Sequence, residues 1–308
     1  MIKKFKLRSR PDEKPFKQIK EEISWIVNIC LASSRIKKLT FQEPERDYNA
    51  RPTLHTVLCA PIGNIKSTIL EQIGGEINQE VMLEVTKPGL VGTIDQKTMQ
   101  IIPGAAWTCR NSMMLIDEFN FAKKGGSWET LLQLTESQRW TKRFGVFSTR
   151  QEFFDGDLYL KVDSGSLSLK TRFSCLIGTM KRFELMRGQN FRAFLSRTVP
   201  YNFSLSEHDI EEILNGKMLF DLKIPKIQEE VFITTSKYMK IKRNVINAMK
   251  KETNNEWIRK ELMLRTVGDC CRIFAVTGKN DKKWINRIVG YKIQNQQKIG
   301  KVYKETKK

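Results

Sequence analysis

The residue types able to do chemistry gather at two places in this 308-residue chain. At 56–74 the sequence TVLCAPIGNIKSTILEQIG runs from a β-rich apolar stretch through a glycine-containing loop into a helical pattern. The loop, APIGNIKS, comprises Ala60, Pro61, Ile62, Gly63, Asn64, Ile65, Lys66 and Ser67, with Thr68 behind it. Backbone N–H groups at a helix start cradle phosphate, a lysine there neutralises it, and a hydroxyl ligates Mg²⁺. The general pattern is GxxxxGK[ST], so Ala60 and Ile65 stand where two glycines usually do. At 112–119, SMMLIDEF closes an apolar run with two acids, Asp117 and Glu118. The first is placed to hold Mg²⁺ and the second to activate water. An acid pair after an apolar strand usually marks only a solvated strand end. A lysine–serine loop upstream of such a pair is a much stronger signal, and together they predict nucleotide binding.

These residues need a scaffold, and the hydrophobic patterning predicts one. HTVLCAP (55–61), SMMLIDEF (112–119) and RFSCLIGTM (172–180) are short continuous apolar runs, the signature of parallel strands buried on both faces. Residues 16–38 and 127–140 have helical spacing, and a polar connector fills 41–52. The fold class predicted is α/β, a P-loop core with a mostly parallel sheet flanked by helices. From Ser204 onward, 208–218, 226–250 and 256–277 are helix-like, and Ser206 with Asp209 marks a helix start. The expected organisation is a basic N-terminal tail and amphipathic helix (1–49), an α/β nucleotide-binding domain (50–203), a small all-helical lid (204–278) and a basic C-terminal tail (279–308).

Charge supplies the remaining signal. The chain carries 54 Lys+Arg against 34 Asp+Glu, a formal +20. Residues 1–20 hold eight Lys/Arg against Asp12 and Glu13, and 278–308 hold ten against Asp281 and Glu305, so the ends account for +14. Basic ends of this kind attract polyphosphate chains by counterion release. Composition excludes a disordered or collagen-like chain. No apolar run reaches membrane-spanning length, no signal sequence opens the chain, and six cysteines form no CxxC pair. A cytoplasmic protein without a membrane partner is expected.

The loop and acid pair, with four further segments, resemble AAA+ ATPases, and among them the motor module of minichromosome-maintenance (MCM) helicases. GLVGTI (89–94) resembles the opening of that family's helix-2 insertion. IIPGAAWTCRNSMMLIDEFNFA (101–122) resembles the stretch carrying its acid pair. TESQRWTKRFGV (135–146) resembles the run into the presensor hairpin, AFLSRTVPYNF (193–203) the arginine-finger segment, and LRTVGDCCRI (264–273) the sensor-2 segment. The resemblance covers roughly 50–278.

It implies an ATPase using ATP and Mg²⁺, with Lys66 and Ser67 as Walker A and Asp117 and Glu118 as Walker B. Ser67 and Asp117 are then the magnesium ligands. Arg197 corresponds to the arginine finger and Arg265 to sensor 2, both reaching a neighbouring subunit's nucleotide, so a homo-oligomeric ring, hexameric in this family, is implied. Lys97, Lys142 and Arg143 are the implied contacts to single- or double-stranded DNA, and loader or replication proteins the implied partners. RFSCLIGTMK (172–181) resembles the sensor-1 strand, with Met180 at the expected asparagine and Thr179 beside it. Met180 and Ala60 point to slow hydrolysis, whereas Glu118, Arg197 and Arg265 point to an active enzyme. The family's N-terminal DNA-binding domain and zinc module have no counterpart here, which leaves a bare motor with basic ends, as a mobile element or virus encodes for the host cytoplasm or nucleus. The alternatives are a MoxR-like or loader-like AAA+ switch acting on a protein complex, and a poorly hydrolysing, nucleotide-gated DNA-binding protein.

Overall fold

A computed structural model describes the chain outside residues 1–15, 43–46, 62, 64–65, 84, 96, 118–126, 144–149, 181–195, 216–219, 221 and 306–308, and outside the side chains of 180, 214 and 297–305. The first half contains α1 (Phe16–Ser34), β1 (Lys38–Gln42), β2 (Asp47–Ala50), β3 (Thr56–Ala60), α2 (Lys66–Ile77), β4 (Val81–Met82), α3 (Lys87–Val91), β5 (Gly92–Ile94), β6 (Ile101–Pro103), α4 (Ala105–Thr108), β7 (Met113–Ile116) and α5 (Ser127–Ser137). Then follow β8 (Arg139–Arg143), β9 (Gln151–Asp155), β10 (Leu158–Asp163), β11 (Ser166–Lys170), β12 (Ser174–Met180), β13 (Val199–Asn202), α6 (Glu207–Leu214), β14 (Glu230–Ile233), α7 (Thr235–Glu252), α8 (Glu256–Thr277) and α9 (Lys282–Glu305).

The organising element is a five-stranded sheet, all parallel, in the order β13-β3-β12-β7-β4. Its strands are the apolar runs of the sequence, and β3 and β7 are buried along their whole length. Alternate side chains enter different cores, as a two-residue period requires. Leu58, Met113, Leu115 and Leu176 pack with α1 and α2, while Val57, Cys59, Met114, Ile116 and Ile177 pack with α3, α4 and α5. The second core is closed by an antiparallel sheet, β8-β11-β10-β9, whose Leu158, Leu160, Val162, Leu167 and Leu169 point inward at every second position.

A third core joins α7, α8 and α9 to a small sheet, β14-β1-β2. Here the structure corrects three expectations. The connector at 41–52 contains β2, whose Tyr48 pairs across from Phe41, because the inward Leu39 and Phe41 of β1 call for sheet partners. The region read as all-helical holds β14, parallel to β1. EVFI presents β-branched and aromatic residues, and the helix starts only at Thr235, after the Thr234 cap.

The basic stretch read as a C-terminal tail is a helix over 282–305. Ile285, Val289 and Ile293 of α9 are buried in this third core and Ile288 in the first, so the stretch is a packed element. Residues 1–15 of the other basic end lie outside the described residues. Elsewhere Ser206 and Asp209 form the expected capping box of α6. No helix among the described residues is long and apolar enough to cross a membrane.

Candidate active site

The carboxyl ends of parallel strands are where an open α/β sheet leaves a crevice. Register pairs Ala60 at the end of β3 with Met180 at the end of β12, and Ile177 with Ile116 just before Asp117. The strand carrying Asp117 is therefore not the direct neighbour of β3; β12 lies between them. That inserted strand is shaped for its neighbours. A Cβ on Gly178 would lie 2.8 Å from Asp117 Oδ1 and 3.0 Å from Leu70 Cδ1, so only glycine lets the carboxylate sit over the strand. Thr179 is buried next to it.

Lys66 is the first residue of α2 and only 6% exposed. Its Nζ donates to the carbonyls of Ala60 (3.4 Å) and Pro61 (3.1 Å), which ties the helix start to the end of β3. Ser67 donates its hydroxyl to Asp117 Oδ2, and the Asp117 backbone N–H donates to Met82 O at 2.9 Å. Ser67 is exposed and Asp117 is 2% exposed. Ala60 is an ordinary strand residue, with no left-handed backbone. The loop takes its positive φ (78°) at Gly63, where a side chain is disfavoured. The missing first glycine therefore imposes no backbone strain at position 60. Pro61 leads into the loop, and Thr68 stands half-buried in the first turn of α2. Ile62, Asn64, Ile65 and Glu118, and the side chain of Met180, lie outside the described residues.

The donor set suits a hard cation. Mg²⁺ takes oxygen ligands and usually draws only one or two from carboxylates, completing its shell with phosphate oxygens and water. The Ser67 hydroxyl and Asp117 carboxylate provide such a pair, and no group of three or more His, Cys, Asp or Glu exists among the described residues.

Arg197 and Arg265 meet elsewhere. Arg197 Nε pairs with Glu136 Oε2, and Arg265 Nη1 lies 4.0 Å from that same oxygen. Glu136 stands in the last turn of α5, just before Gln138, whose left-handed φ of 58° leads the chain into β8. Partial burial works to raise the Glu136 carboxyl, but the Arg197 bond and the charges of Arg197, Arg51 and Arg265 hold it below the usual carboxylate range. Burial and the like charge of Arg197 lower Arg265.

Behind the pair runs a buried network built on Asp269. Its carboxylate binds Lys292 and, at 2.8 Å, Arg272 Nη1. Lys292 also donates to Ser196 O (3.1 Å), Arg272 to Arg51 O (2.9 Å), and Arg51 to Arg197 O (3.3 Å). The carbonyls of Ser196 and Arg197 are thus both held by cations that trace back to α8 and α9. Beside it, His55 Nδ1 accepts from Cys175 N at 3.1 Å; burial, then Arg51 and Arg272, push its pKa well below 6.5. Arg51, Glu136, Arg265, Asp269 and Arg272 line a cleft of ≈ 580 Å³.

The two groups occupy opposite edges of the central sheet. Val199, two residues after Arg197, pairs with Thr56 at the amino end of β3, whereas Lys66 and Asp117 gather beyond its carboxyl end. With about 3.3 Å per residue, β3 alone separates them by roughly 13 Å. Arg197 therefore faces away from the Lys66–Asp117 group of its own chain.

The remaining cations are peripheral. Lys97 is exposed in the turn of the β5–β6 hairpin, where its N–H donates to Asp95 Oδ1 at 2.9 Å. Lys142 and Arg143 are exposed at the end of β8, an edge strand. β8 pairs with β11, with Trp140 buried opposite Leu169, and residues 144–149, where the expected hairpin continues, lie outside the described residues. The β5–β6 hairpin lies beside that sheet through Ile101 N–H to Gln151 Oε1 at 2.6 Å.

Neither a family model nor a curated protein matches this chain. Sequence reasoning singled out neither Glu136 nor the network of Arg51, Asp269, Arg272 and Lys292. GDCCR (268–272) does hold an acid and a base at helical spacing, i and i+3, which is a signal for their pairing.

Proposed function

We propose that this chain binds and hydrolyses ATP as an AAA+-type motor, its copies arranged in a ring in which each site is shared by two neighbours. The observation that carries this is the placement of Lys66, Ser67 and Asp117 at one edge of the sheet and Arg197 and Arg265 beyond the other. A head-to-tail contact between copies brings the two edges together, and repetition of such a contact closes a ring.

In that arrangement Lys66 exchanges its loop carbonyls for phosphate oxygens, and the N–H groups at the start of α2 orient the phosphates. Ser67 and Asp117 hold Mg²⁺, which when bound neutralises charge on the phosphate oxygens. The resemblance assigns Glu118 the proton of the attacking water and leaves Thr179 to orient that water. The neighbour's Arg197 and Arg265 stabilise charge on the transferring group.

The substrate we propose is DNA, moved in the manner of an MCM-like helicase or translocase. Lys97 in the turn of the β5–β6 hairpin and Arg143 at the end of the edge strand β8 are both exposed, as contacts to a phosphate backbone require. ATP turnover measured with and without single- and double-stranded DNA tests this. Stimulation that disappears in Arg143→Ala is expected; turnover indifferent to DNA overturns the DNA reading, and absence of turnover overturns the ATPase.

A further inference from the structure

We propose that Glu136 is a positioning residue that holds Arg197 and Arg265 together in the separate chain and yields them to a phosphate chain presented by a second copy. This rests on the reading of the two arginines as groups offered across a subunit contact. The cleft is crowded with cations: Arg51, Arg197, Arg265 and Arg272 face it or back it, with Lys292 behind. Of the acids there, Asp269 is buried and already binds Arg272 and Lys292. Glu136 is the carboxylate that contacts both Arg197 and Arg265.

Two observations make this a loaded arrangement rather than a finished ion pair. Arg51 Nη1 and Arg265 Nη1 are buried from solvent without any hydrogen bond. Two donors thus remain for an oxygen-rich group that enters the cleft. Glu136, moreover, is 50% exposed at its side chain. A carboxylate half open to water is released more easily than a buried one, although Arg197 itself is 15% exposed, and phosphate offers guanidinium several bidentate contacts and more charge. Glu136 therefore keeps two like-charged guanidiniums converged at low energetic cost and competes only modestly with the incoming anion.

The expected behaviour separates Gln from Ala at this position. Glutamine keeps an acceptor for Arg197 and removes the competing charge; alanine removes both. Inorganic tripolyphosphate, titrated at low salt into full-length Lys66→Ala protein, isolates the cleft from the loop site. Glu136→Gln in that background tightens binding about five- to tenfold, and Glu136→Ala tightens it less. The gain vanishes when Arg197→Ala and Arg265→Ala are added. Unchanged affinity in Glu136→Gln overturns the proposal, as does a gain that survives loss of both arginines.

A second arm uses ATP and intact Lys66. In Glu136→Gln the protein concentration giving half-maximal specific activity falls about fivefold, while KM for ATP at saturating protein stays put. A KM change without a shift in that concentration contradicts the role given to Glu136. If the wild-type chain hydrolyses no ATP, the proposed function fails alone, and the tripolyphosphate titration still decides the inference.

Discussion

Ser67 donates its hydroxyl to Asp117 across 50 residues of sequence and over an intervening strand. The contact joins the start of α2 to the end of β7 and brings together the two oxygen donors able to hold a magnesium ion beside a phosphate. Asp117→Asn keeps the shape but removes the charge, so Mg²⁺-dependent ATP turnover falls by about 100-fold or more. Nucleotide binding measured in chelator is unchanged. Equal losses with and without Mg²⁺ contradict the assignment.

Gly178→Ala tests the same site from below. The new Cβ lies 2.8 Å from Asp117 Oδ1 and 3.0 Å from Leu70 Cδ1, and the carboxylate must shift. Urea unfolding is expected to show a loss of about 1–3 kcal/mol. Magnesium affinity drops in parallel.

Truncation after Asp281 removes α9. Its Ile285, Ile288, Val289 and Ile293 are buried, and each such side chain contributes about 1.5–3 kcal/mol. Together they approach the whole stability of a typical domain, about 5–15 kcal/mol. The truncated chain should be insoluble or unfolded by circular dichroism. A folded truncation that merely binds DNA less tightly restores the reading of this segment as a tail.

Acid should destabilise the protein through His55. Its folded pKa lies well below 6.5 because burial, then Arg51 and Arg272, disfavour the charged ring. The unfolded chain therefore binds the extra proton first, and stability falls as pH drops from about 6.5, by up to about 1.4 kcal/mol per pH unit. Glu136 and Asp157, whose pKa values are lowered, add losses only below the usual carboxylate range. His55→Gln should flatten the slope between pH 6.5 and 5 in chemical unfolding. An unchanged slope contradicts this source.

The central strands and α8 were legible in the sequence because their residues are buried in a simple period. β3, β7 and β12 are continuous apolar runs, and 256–277 carries its own caps, Asn255 and Gly278. What escaped was decided by distant partners. DYNA has no strand pattern of its own and becomes β2 only opposite β1, and EVFI becomes β14 on the other side of that same strand. In α9 the apolar positions 285, 288, 289 and 293 recur at helical steps, but the lysines between them dominated the reading as a tail. Lys292, one of the residues counted in that tail, is fully enclosed against Asp269 and Ser196.

The candidate site divides in the same way. Lys66, Ser67 and Asp117 were legible because a lysine–serine helix start after one apolar run and an acid after another are local patterns. Arg197 and Arg265 were singled out only by resemblance, and nothing in their local sequence announced Glu136. That carboxylate stands in the last turn of α5, 61 residues before Arg197 in the chain.

The shared site is tested most directly by mixing two inactive chains. Lys66→Ala lacks its own loop lysine but keeps Arg197; Arg197→Ala lacks the arginine but keeps the loop. With Arg197 at the opposite edge of the sheet from Lys66, the account predicts that each variant alone is inactive and that an equimolar mixture regains ATP hydrolysis at the contacts pairing an intact loop with an intact arginine. A mixture as inactive as its components, although both chains fold and associate, contradicts it.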